Sequence, residues 1–96
     1  MFQQVTITTE SSDPIKPLVQ AAIREELKTL QFGINRTRER LAAFEKQFGM
    51  SSEEFQRRFD GIDLKESLEF IEWSGEIKTL QLLEEHHNAL QNAKIA

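Results

Sequence analysis

The 96-residue chain has no cysteine and no tyrosine, and only two prolines and four glycines. Without cysteine, neither disulfides nor thiolate metal sites can hold it together, which suits a reducing, cytoplasmic setting. No apolar run approaches the roughly 18 residues needed to cross a bilayer, and the first residues lack the charged-then-apolar pattern of a secretory leader. No membrane contact is expected. A glycine-rich phosphate loop is missing, and the only two histidines, His86 and His87, are adjacent rather than poised beside a nucleophile. The expectation is a protein that is not an enzyme and carries no cofactor, metal included.

What is present points to helices. Charged residues make up 29% and hydrophobic ones 39%, the balance of a single folded domain over residues 1–96 with one small core. The net charge of −4 is unevenly placed. Residues 17–48 carry six basic side chains against four acidic ones, whereas residues 60–96 carry three against eight. The two halves should attract each other, and the acidic half opposes general nucleic-acid affinity.

The sharpest local signal is Phe48-Gly49-Met50-Ser51-Ser52-Glu53-Glu54-Phe55. Gly49 suits the left-handed residue that closes a helix, and Ser51 with Glu54 forms a capping box that opens the next one. Upstream, Leu27, Leu30, Ile34, Leu41, Phe44 and Phe48 recur in steps of three and four, with Thr37 at the one missing heptad position. This predicts a helix starting between Pro14 and Pro17 and ending at Phe48, a rod roughly 48 Å long at about 1.5 Å per residue. A short helix over Ser52–Asp60, ended by Gly61, presents Phe55 and Phe59 one turn apart. Asp63 with Glu66 predicts the cap of a third helix running to about Ala93, with Phe70, Trp73, Ile77, Leu80, Leu83 and Leu90 on its apolar face. Two rods of equal length joined by an elbow fold back as an antiparallel hairpin.

That register sets Glu66, Glu69, Glu72 and Glu76 level with Arg36, Arg38, Arg40 and Lys46, and places Gly33 near Gly75, where Phe32 or Trp73 fits across the seam. Residues 2–9 alternate, with Val5 and Ile7 on one face and Gln4, Thr6 and Thr8 on the other, which predicts one strand. Since no second strand is visible, its mate is expected in another chain. The fold class is therefore all-α: a long-helix hairpin with an elbow helix and an N-terminal strand, dimerising into a four-helix arrangement.

Candidate partner-binding residues are Val5 and Ile7 on the strand, Phe55, Phe59, Phe70 and Trp73 at the elbow, and Glu69, Glu72 and Glu76 on the acidic stripe. The favoured reading of the aromatic group by itself is a core cluster closing the hairpin, and of the stripe a solvated helix face. Glu84 and His87 have the Glu-x-x-His spacing of di-iron bundles, with Glu25 or Glu26 near the same height, against the simpler reading of a solvated pair. An intermolecular ribbon could aim Gln4, Thr6 and Thr8 at a DNA groove, but only Lys16 lies nearby to attract phosphate.

Glu45-Lys46-Gln47-Phe48-Gly49-Met50-Ser51-Ser52-Glu53-Glu54-Phe55 and Phe70-Ile71-Glu72-Trp73 resemble two segments of a family of short helical proteins of cyanobacteria and archaea. Its members look like the antitoxin halves of toxin–antitoxin gene pairs, and the resemblance covers residues 18–90. It implies a non-catalytic, antitoxin-like binding protein that covers the active surface of a basic toxin. The alternatives are a metal-binding four-helix dimer using Glu84 and His87, and a purely structural dimerisation protein.

Overall fold

A computed structural model describes residues 3–10, 14–61 and 64–95. Their order is β1 (Gln3–Val5), α1 (Ile15–Phe48), α2 (Ser52–Asp60), α3 (Leu68–Gln91) and β2 (Ala93–Ile95). α1 begins where the two prolines allow, with Pro14 as its N-cap and Pro17 in its first turn. It stops at Gly49, whose φ of 65° is the left-handed value expected and whose N–H reaches the Glu45 carbonyl at 2.9 Å. α2 starts at Ser51, whose hydroxyl accepts the Glu54 N–H at 3.1 Å. A second orphan amide, that of Ser52, donates to the Glu45 carboxylate at 2.7 Å, so α1 itself helps to cap α2.

The start of α3 differs from the expectation. Asp63 lies outside the described residues, and the cap is Ser67, whose hydroxyl accepts the Phe70 N–H at 3.1 Å. α3 ends at Gln91, so it has 24 residues against 34 in α1. The rods are unequal, and the first turns of α1 run past the end of α3.

Phe48 meets Phe70, Phe44 meets Trp73 and Arg40 meets Glu76, so the two helices rise in step as an antiparallel hairpin. Leu30, Ile34, Thr37 and Leu41 form the buried line of α1, and Thr37 fills its heptad position at 3% exposure. At the elbow the core is Leu41, Phe55 and Trp73, walled by Phe44, Phe48, Phe59 and Phe70. Phe55 stacks on Trp73 at 4.0 Å between ring centroids, with planes 2° apart. The Trp73 indole N–H donates to the Ser52 hydroxyl at 3.0 Å, which satisfies the one polar atom of that ring.

The strand expectation is corrected in two respects. β1 covers three residues, Phe2 lies outside the described residues, and residues 6–9 are not strand. Its mate is in the same chain: β2 pairs with it in parallel, Gln4 opposite Lys94 and Val5 opposite Ile95. A parallel pair needs a long crossover, and here the whole hairpin supplies it.

The described molecule measures 60 × 21 × 20 Å, with a radius of gyration of 18.8 Å. A compact chain of this length would have about 12.5 Å. Among the described residues five hydrophobic side chains are buried, so the rod is one hairpin thick and leaves much apolar surface uncovered.

Candidate interaction faces

α2 lies along one side of the α1/α3 pair, where Ser52, Gln56 and Arg57 flank Leu41, Ile77 and Gln81. The opposite side has no covering element among the described residues. There a groove of about 500 Å³ runs between the long helices, with Phe44 as its floor and Arg40, Gln47, Glu72 and Glu76 on its walls. Ala43, Gly75 and Thr79 keep the walls low. The groove continues past Arg40 to a second hollow of about 400 Å³ beside Phe32, Gly33, Arg36 and Leu83.

The electrostatics of this side are split by helix. α1 contributes Arg36 and Arg40, with Glu26 as the one acid of its wall at the far end of the second hollow; α3 contributes Glu72 and Glu76. Arg40 Nη1 donates to Glu76 Oε1 at 3.2 Å, while Glu76 Oε2 is shut from solvent without a donor. An unpaired buried carboxylate oxygen is costly. Arg36 lies over the Phe32 ring at 5.8 Å from its centroid, and Phe32 itself is 63% exposed.

A second apolar line runs along the outer edge of α3. Leu68, Ile71, Gly75 and Leu82 follow one another at heptad spacing, and Leu68 and Leu82 are 71% and 51% exposed. Glu69 and Glu72, both exposed, border it. Sequence reasoning assigned α3 a single apolar face and missed this one, because Gly75 and Lys78 occupy two of its positions and dilute the pattern.

The other candidate residues are dispersed. Val5 is exposed on β1 and Ile7 is half-buried beyond it. Phe55 and Trp73 are 0% exposed, and Phe59 and Phe70 are packed against them. A partner cannot touch Phe55 or Trp73 without opening the elbow. Of the predicted pairings between the acidic stripe and the α1 cations, Arg40–Glu76 forms among the described residues, while Arg38 reaches past the stripe to Glu84 at 3.1 Å. Gly33 faces Leu83 rather than Gly75: a Cβ at Gly33 would sit 3.3 Å from the Leu83 methyl, and one at Gly75 would meet nothing within 4 Å.

Glu84 is engaged by Arg38, and both line a small polar hollow with His87, Gln31 and Asn88. Glu25 binds Lys28 at 3.3 Å, and Glu26 lines a hollow with His86 on the other side of the seam. Among the described residues no three of His, Asp and Glu converge as metal ligands. The strand of the ribbon that could aim Gln4, Thr6 and Thr8 at DNA, against the balance of charge, is paired within the chain instead. No described helix is long and apolar enough to cross a membrane.

Among the described residues, fold and faces together define a thin helical-hairpin rod with an open groove and an uncovered apolar edge. No protein-family model, curated protein or solved structure matches the chain at a significant level.

Proposed function

We propose that this chain is a non-catalytic protein-binding module of the antitoxin kind, acting as a homodimer that neutralises a small basic toxin by covering its active surface. The observation that carries the reading is the heptad line of Leu68, Ile71 and Leu82 left uncovered on a rod whose core holds five hydrophobic side chains. Such a line is a helix waiting for a partner. The neighbouring Glu69 and Glu72, in a half of the chain rich in acid, favour a basic partner such as an RNA-cleaving enzyme and would speed its encounter.

The resemblance to antitoxin-like proteins supports the same reading, though its residues serve the fold. Gly49, Ser51, Phe55, Phe70 and Trp73 close the elbow. Contact with a partner therefore belongs to the exposed positions between and beside them.

Co-expression with a small basic protein encoded beside this gene is the direct test. The pair should co-elute and the growth arrest caused by the neighbour should be relieved. Glu69→Lys, which lies outside the groove, should slow association several-fold at low salt, with the difference closing at high salt. Recovery of this chain alone, with the arrest undiminished, would overturn the reading.

A further inference from the structure

We propose that the groove on the side away from α2 is occupied by a second copy of this chain, related to the first by a two-fold axis parallel to the hairpin. This rests on the dimeric reading above and assigns it a surface and a register. Rotation about such an axis leaves every residue at its own height, so residues level on the two helices of one chain come face to face between chains. α1 then lies against the partner's α3, antiparallel, as in a four-helix bundle.

The height rule makes the face self-complementary. Arg40 and Glu76 are level within one chain, as their ion pair shows. In the dimer each Arg40 also meets the other chain's Glu76, and a small turn of that carboxylate brings its unpaired Oε2 to a guanidinium. Arg40 faces Glu76 in both directions at once, with Arg36 one turn to one side of that pair and Glu72 one turn to the other. Gln47 comes opposite Glu72.

The size is also adequate. The 24 residues of α3 span about 36 Å, and over the 21 Å width of the rod this gives about 750 Å² per chain. Stable interfaces need about 800 Å² per partner. Leu68, Ile71 and Leu82 do not line the groove and stay free in this arrangement, while Glu72 and Gly75 border both faces.

The chain has no cysteine of its own, which permits a test of register. Two single-cysteine full-length chains, Gln47→Cys and Glu72→Cys, are mixed and mildly oxidised; a covalent heterodimer should form at least tenfold faster than either homodimer. In parallel, sedimentation of the unmodified chain should show a dimer. Arg36→Glu with Gln47→Glu, both exposed positions, should weaken the dimer tenfold or more while leaving the helical circular dichroism unchanged, and adding Glu72→Lys should restore it. Gln81→Glu, on the α2 side, should leave the dimer intact.

A dimer that ignores the groove substitutions, or that cross-links through Gln81→Cys instead, would overturn the assigned face while the dimeric reading stands. A chain that remains monomeric at every concentration would overturn both. Loss of toxin binding with the dimer and its cross-link intact would sink the antitoxin reading alone.

Discussion

The two glycines inside the long helices carry opposite meanings, and the difference is measurable. A glycine in a helix interior costs about 1 kcal/mol relative to alanine, through backbone entropy. At Gly33 that cost has a packing return, since Leu83 occupies the space a Cβ would take, 3.3 Å from its methyl. At Gly75 nothing within 4 Å of the same chain uses the space. Gly75→Ala should therefore raise stability by about 1 kcal/mol in a monomeric background such as Arg36→Glu with Gln47→Glu, read as a denaturation midpoint shift at unchanged m-value. Gly33→Ala should gain clearly less, because Leu83 must move. Sequence reasoning saw a packing purpose for both glycines and placed them together. It could not distinguish them, because which side chain crosses the seam depends on helix register to within one residue. The aromatic residues were easier: Phe55, Phe70 and Trp73 offered too much apolar area near one elbow to remain uncovered. Phe55 and Trp73 are fully buried with Phe70 packed against them, and the polar tip of Trp73 found Ser52.

At the scale of elements, the elbow was legible because its signals are short-range. Gly49 and Ser51 act within four residues of themselves, so their roles survive any uncertainty about the rest of the chain. Ser51→Ala should cost about 1 kcal/mol of stability by leaving the Glu54 amide uncapped, read from urea unfolding. Ser51→Asp should hold its ground, since a carboxylate accepts the same bond and favours the helix N-terminus. The start of α3 was harder. Asp63-x-x-Glu66 has the better capping-box pattern, yet Ser67 four residues on holds the cap, with Leu68 opening the helix. Several polar residues in a row offer several starts, and tertiary packing of Phe70 and Trp73 against α1 and α2 decides which one is used. β2 was invisible for another reason. Ala93-Lys94-Ile95 directly follows a strongly periodic helix, and three residues cannot show an alternation of their own. Its identity as a strand depends on β1, ninety positions upstream, which no local pattern contains.

At the scale of the whole molecule, shape links the core to the proposed role. A rod one hairpin thick gives every residue of its two long helices a position near solvent, so the interior that stabilises it is confined to the elbow and one seam. Such a chain gains stability by association, because anything that binds the folded form and not the unfolded one shifts the equilibrium by mass action. The proposed groove dimer makes this quantitative. Raising the chain concentration a hundredfold above the dimer dissociation constant should raise the melting temperature by several degrees or more, since association of the folded form acts by mass action and each kcal/mol is worth about 4–8 °C on a domain of this size. The shift should shrink in high salt, because the matching walls are charged and partly exposed, with Arg40 and Glu76 side chains 52% and 22% accessible in the single chain. Arg36→Glu with Gln47→Glu should flatten the concentration dependence while leaving the melting temperature at the dilute limit nearly unchanged. Calorimetry over a hundredfold dilution series, at low and high salt, reads all three outcomes. A melting temperature independent of concentration in the unmodified chain would mean that the rod is stable alone and that its open groove has no self-association to drive.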